Sequence, residues 1–167
     1  MKDLYLLLGS EGALADRALS KLIIELREER AEINTLFASE ISLGEISDAL
    51  SPSLFSERRA LIIRDLQDLA EENRIEITRY LESPDSTLTL VMLHKGGVKG
   101  KALVEQIKKS GAEVIACDPL KRESDKEDFV RNLFLDLGRK AAPAAISALV
   151  NATGTDLREL SAAVSQL

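Results

Sequence analysis

The chain has 167 residues, 45% of them apolar, with a net charge of −6 and a pI near 5.0. That is enough apolar material for one medium domain, or one domain with a small appendage. The acidic balance excludes broad, independent nucleic-acid binding, which rests on a net basic surface.

Strand and helix patterns then alternate along the chain, which predicts an α/β domain with a mostly parallel sheet. The first strand is Leu4–Leu8, and Met1-Lys2-Asp3 runs straight into it, so no signal peptide is expected. A helix follows from about Gly12 to Arg30, with Leu14, Ala18, Leu22, Ile23 and Leu26 on one face. Glu32–Phe37 alternates as a weaker second strand, and a short helix covers about Leu43–Leu50. Ser51-Pro52-Ser53 breaks that helix, because proline turns its predecessor away from helical backbone. The third strand is Ala60–Ile63, and a helix runs Leu69–Leu81. The fourth strand, Thr87–Leu93, leads into the turn His94-Lys95-Gly96-Gly97. A helix over Lys101–Lys109 and a fifth strand, Glu113–Ala116, complete the pattern.

At Cys117-Asp118-Pro119 the grammar changes, and everything beyond reads as helix. Ser124 and Glu127 have the spacing of a capping box for a helix through Leu137. Pro143 suits the first turn of a second helix, to about Val150, which Gly154 closes. Thr155 is placed to cap a third helix reaching Leu167. The domain boundary is expected near Asp118, dividing the chain into 1–118 and 119–167. No apolar run approaches the roughly 20 residues of a membrane span. A single cysteine, Cys117, excludes an internal disulfide and suits a reducing cytoplasm. With His94 as the one histidine, neither a nucleophilic triad nor a metal site is expected.

A strand running into a glycine turn and a helix is the frame of a phosphate-binding loop. A working loop needs G-x-x-x-x-G-K-[ST], in which lysine holds the phosphates and the hydroxyl holds magnesium. Here Gly9 is followed by Glu11 and then Ala13-Leu14-Ala15, with no Lys-Ser/Thr pair. A Glu11 carboxylate at the turn would also repel a triphosphate. The third strand runs Leu61-Ile62-Ile63-Arg64-Asp65, with Arg64 where a magnesium-binding aspartate would stand. Two losses at separate places argue against ATP hydrolysis, and no cofactor is expected.

Leu54-Phe55 follows the proline break and precedes Arg58, Arg59 and a buried strand. The pair either packs inward in a connecting helix or projects as an anchor ringed by Ser51, Ser53, Ser56 and Glu57. Burying both side chains in a partner would contribute roughly 3–6 kcal/mol before the costs of association. The local basic cluster is His94 to Lys101, in which Lys95, Lys99 and Lys101 either contact DNA or a neighbouring subunit or form a solvated loop.

Four stretches carry a resemblance: Tyr5 to Glu11, Ser53 to Arg59, Cys117 to Lys121 and Gly154 to Leu160. In this order, across five strands and three helices, they resemble AAA+ modules, and within these the delta-subunit family of the bacterial DNA polymerase III clamp loader. The resemblance implies an AAA+-like P-loop NTPase fold with a degenerate nucleotide loop and a small three-helix lid. It implies a cytoplasmic, non-catalytic component of the polymerase holoenzyme that binds the β sliding clamp and helps open it for loading onto primed DNA. Pro52, Leu54 and Phe55 would form the clamp-binding element, and Arg158 would stand where active relatives sense nucleotide with a lid arginine. Delta prime, gamma/tau and primer–template DNA within the complex would be further partners, with no membrane involved. Family members also carry a third helical domain, the collar, for which this sequence has no counterpart. The alternative is a small-molecule or nucleotide-binding α/β enzyme with an atypical glycine loop, for which no general base is in view. A response-regulator-like domain would need an acidic pocket, and the first strand ends in Gly9 instead.

Overall fold

The computed structural model describes residues 2–52, 57–154 and 156–167. Contacts divide the chain into two compact units, Met1–Asp118 and Pro119–Leu167.

The first unit runs β1 (Leu4–Leu8), α1 (Gly12–Glu28), β2 (Glu32–Phe37), α2 (Glu45–Leu50), β3 (Arg59–Arg64), α3 (Glu71–Glu82), β4 (Leu88–His94), α4 (Lys101–Lys109) and β5 (Glu113–Ala116). A single 3-10 turn, Leu66–Asp68, lies between β3 and α3. The sheet is ordered β2-β3-β4-β1-β5, and every neighbouring pair is parallel. In β1, β3 and β4 almost every residue is buried, as expected of parallel strands covered on both faces. Alternation then sorts the side chains. Leu4, Leu6, Leu61, Ile63, Leu88, Leu90 and Met92 join a core with Ile46 of α2, Ile77 of α3 and Ile107 of α4. Tyr5, Leu7, Ile62, Val91 and Leu93 face the other way, onto Leu19 and Leu22 of α1. The result is a three-layer sandwich in which α1 alone covers one face among the described helices of this unit.

The helix α1 stops two residues short of the expected Arg30. Arg30 takes a left-handed φ of 56°. Its N–H donates to the Arg27 carbonyl (3.0 Å) and the Ala31 N–H donates to the Leu26 carbonyl (2.9 Å). This is a Schellman ending with arginine where glycine is usual, so no glycine marked it in the sequence.

The second unit contains α5 (Glu123–Asp136), α6 (Pro143–Thr153) and α7 (Leu157–Gln166). Phe129, Val130, Ile146, Val150, Leu157, Leu160 and Val164 are buried within it. The capping box does not form. The N-cap of α5 is Arg122, whose guanidinium pairs with Asp125 (2.8 Å), so Ser124 already lies inside the helix. Glu127 instead accepts a hydrogen bond from the Ser147 hydroxyl of α6. Thr155, expected as the cap of α7, lies outside the described residues. The neighbouring Asp156 caps the helix through the Arg158 and Glu159 N–H groups.

Candidate functional site

Parallel α/β sheets bind ligands beyond the carboxyl ends of their strands, where the strand order reverses. In this sheet that place is the turn after β1, between the ends of β4 and β5. Gly9 N–H donates to the His94 carbonyl at the end of β4 (3.0 Å). On the other side, the Cys117 N–H donates to the Leu8 carbonyl (2.7 Å) and the Glu11 N–H donates to the Cys117 carbonyl (2.8 Å). Gly9 has a φ of 147°, and a Cβ there would stand 2.1 Å from the Cys117 carbonyl carbon. The glycine of this turn therefore serves the close approach of β5's exit. The other element a phosphate would use is the free N–H groups at the start of α1. There Glu11 is the N-cap, and its carboxylate accepts from the Ala13 N–H (3.1 Å). The chain's own carboxylate thus sits where an anionic ligand would be received.

The ends of β3 and β4 are tied to one another. Arg64 donates to Asp16 of α1 (2.9 Å). Asp65 takes a left-handed φ of 57° and starts the 3-10 turn, burying Leu66 in the core. Asp65 then pairs with Lys95 (2.8 Å), and Asp68 pairs with Lys99 (2.6 Å). Gln67 links the two pairs, donating to both aspartates while accepting from the Lys95 N–H (3.2 Å). The Lys95 ammonium holds the Asp65 carboxyl below the usual aspartate range, and Lys99 does the same for Asp68. His94 is buried under this loop. Its Nδ1 accepts from the Gly96 N–H (2.9 Å) and its Nε2 lies 2.8 Å from the Lys99 carbonyl, which fits the tautomer with hydrogen on Nε2. Lys95 and Lys99 are thereby neutralised pairwise. Lys101 opens α4, exposed and with no ion pair among the described residues.

Leu54 and Phe55 lie outside the described residues; the frame on either side of them does not. Before them, α2 is capped by Ser51, whose N–H donates back to the Ser47 carbonyl (3.0 Å), and Pro52 is exposed. After them, Arg58 donates to Glu29 at the end of α1 (2.6 Å) and to the Ser86 carbonyl (3.1 Å). The Arg58 guanidinium keeps the Glu29 carboxyl below its ordinary range. Arg59 donates to the Ser51 carbonyl (2.6 Å) and lies 3.4 Å from Asp85. A cleft of about 330 Å³ opens beside Ser51 and Pro52, floored by Ala60, Leu61 and Leu88.

Sequence reasoning placed the glycine turn after β1 and the helix break at Ser51 and Pro52. It missed Glu11 as a cap, Asp65 and Asp68 as lysine partners, and Arg59 as the tie between α2 and β3. None of the last three carries a local signal, because each partner is distant in sequence. Cys117 is buried at the end of β5, and burial pushes its thiol pKa up. Among the described residues, no three His, Cys, Asp or Glu side chains gather as a metal site. Among them also, no helix is long and apolar enough to cross a membrane.

The strand order, with β1 between β4 and β5 and feeding a glycine turn, is that of an AAA+-like P-loop NTPase fold. Its nucleotide loop is degenerate. Solved structures share this fold across nearly the whole chain. The Bacillus subtilis DNA clamp loader delta protein is similar with a TM-score of 0.76 and 20% identity, covering 99% of this chain and 52% of that one. The Thermotoga maritima RuvB Holliday junction branch migration motor follows at 0.60 and 14% identity, covering 97% and 53%. Brucella abortus NtrX in complex with ADP is similar at 0.53 and 15% identity, covering 99% and 46%. The chain spans about half the length of these structures. No protein-family model matches the sequence, and no curated protein does.

Proposed function

We propose that this chain is the clamp-binding part of a delta-type clamp-loader subunit. It docks Pro52, Leu54 and Phe55 into a bacterial β sliding clamp and favours the clamp's open form, without hydrolysing ATP itself. The observation that carries this reading is the likeness in fold to a clamp-loader delta protein over 99% of the chain. The turn after β1 supports the non-catalytic part, since Glu11 caps the helix end that a phosphate would need. Docking shifts the clamp towards opening only by the difference in affinity between its two forms. ATP would act on motor subunits of the complex, and residues 119–167 would serve as the lid. Contact with primer–template DNA would be made within the complete complex. Of the three lysines considered for it, Lys101 is the one without an acidic partner among the described residues. The alternative of a small-molecule enzyme draws little from the turn, where the Gly9, Glu11 and Ala13 N–H groups are used within the chain.

The test is binding of the chain to a purified bacterial β clamp, measured by calorimetry beside the Leu54→Ala/Phe55→Ala double variant. Binding that falls at least about tenfold in a folded variant supports the reading. A folded parent that shows no affinity for the clamp would overturn it.

A further inference from the structure

Arg59 opens β3, and the residues after it, Ala60 to Ile63, are buried. Its own side chain is only 10% exposed. One terminal nitrogen donates to the carbonyls of Ser51 (2.6 Å) and Ala49 (3.4 Å). The other lies 3.4 Å from Asp85 Oδ2, and Asp85 is itself held by the Thr87 N–H (2.8 Å) and hydroxyl. The remaining nitrogen, Nε, is buried without a partner among the described residues. An unpaired buried donor is costly. A side chain placed at that disadvantage marks a position where its other contacts matter.

Those contacts converge on one place. Ala49 and Ser51 carry carbonyls at the C-terminal end of α2, where a helix presents partial negative charge. No basic residue stands in the last turn of α2 itself, so the cation is delivered from β3. Ser51 is the residue at which the chain leaves the helix, with φ −65° and ψ 142°, and Pro52 follows. A single side chain thus joins the exit from α2 to the entry into β3.

We infer that Arg59 is the positioning residue of the docking segment. It sets where, and in which direction, the chain leaves α2 at Ser51 and Pro52. This rests on the reading of that segment as the clamp-docking element. The reason it matters is population: apparent affinity falls by the fraction of time a segment spends outside its competent arrangement. Restraint at the exit raises that fraction before the partner arrives.

The test uses the full chain with Arg59→Gln, Arg59→Lys and Leu54→Ala/Phe55→Ala. Amide hydrogen exchange is followed over α2 to Pro52, with β3 and β4 as internal references. In Arg59→Gln, exchange at the end of α2 rises about tenfold while β3 and β4 keep their rates. Affinity for a purified bacterial β clamp falls about tenfold in the same variant. Arg59→Lys keeps the charge and one donor, and recovers part of both losses. Unchanged exchange at α2, or a rise spread equally over β3 and β4, overturns the inference. So does an Arg59→Gln affinity equal to the parent's where Leu54→Ala/Phe55→Ala has lost binding; the docking reading then stands without it. A folded parent that does not bind the clamp removes the docking reading and the positioning role together.

Discussion

Replacing Gly9 with alanine tests how tightly the turn after β1 is joined to β5. The new Cβ would stand 2.1 Å from the Cys117 carbonyl carbon, 2.2 Å from its oxygen and 2.6 Å from the Asp118 nitrogen. All three are backbone atoms, so no side-chain rotation relieves the clash. Ordinary contact begins at 3.4 Å, so the two segments must part by more than an ångström. That separation breaks the hydrogen bonds of Cys117 N–H to Leu8 (2.7 Å) and Glu11 N–H to Cys117 (2.8 Å), and strains that of Gly9 N–H to His94 (3.0 Å). At about 1 kcal/mol for each broken bond and a part of that for the strained one, the loss is about 2–3 kcal/mol. The positive φ adds about 1–2 kcal/mol for any residue with a side chain. Gly44→Ala separates the two effects, because Gly44 also has a positive φ, 84°, with nothing near its would-be Cβ. Urea unfolding followed by circular dichroism should show Gly44→Ala destabilised by about 1 kcal/mol and Gly9→Ala by about 3–5 kcal/mol. Equal losses would refute the close approach as the reason for glycine at position 9.

Three further outcomes follow from the same geometry. Glu11→Ala removes the α1 cap and should lower stability by about 0.5–2 kcal/mol, measured by the same unfolding assay. The folded-state pKa values of Asp65 and Asp68 are depressed, chiefly by hydrogen bonds from Lys95 and Lys99. Their contribution is therefore complete above the ordinary aspartate value of 3.8 and is lost as pH falls below it through the depressed values. Lys95→Met with Lys99→Met should flatten the acid limb of a stability–pH curve and leave its slope near pH 7 unchanged. Cys117 is fully buried with a raised thiol pKa, so a thiol reagent at pH 8 should label it only after unfolding. Rapid labelling of the native chain would show that the end of β5 opens freely.

The strands were legible where apolar and β-branched runs stand between turn residues. Leu4–Leu8 and Glu113–Ala116 have the bounds their patterns predict, as does the helix Lys101–Lys109 between its glycines. What the pattern could not supply was pairing over distance. Asp65 stood in the sequence only as the residue after Arg64, because its partner, Lys95, follows the end of another strand. Glu127 read as half of a capping box because the three-residue spacing was right, yet its hydrogen bond goes to Ser147, 20 residues on. Arg59 read as a flank of the Leu-Phe pair, and its grip on Ser51 depends on α2 and β3 meeting at one end of the sheet. Glu11 was placed correctly at the turn, but its carboxylate caps the helix as well as opposing an anion.

The sheet order carries a consequence for how this chain comes to be made. The first strand of this unit, β1, lies between β4 and β5, the last two. A ribosome must therefore deliver Leu88–His94 before Leu4–Leu8 finds its first neighbour, and Glu113–Ala116 before it finds its second. Until then a run of five apolar residues waits unpaired in the nascent chain. Pairing of β1 waits on contacts far apart in sequence, the kind that close slowly, and translation halted before Leu88 leaves this apolar run without a strand partner, exposed to aggregation.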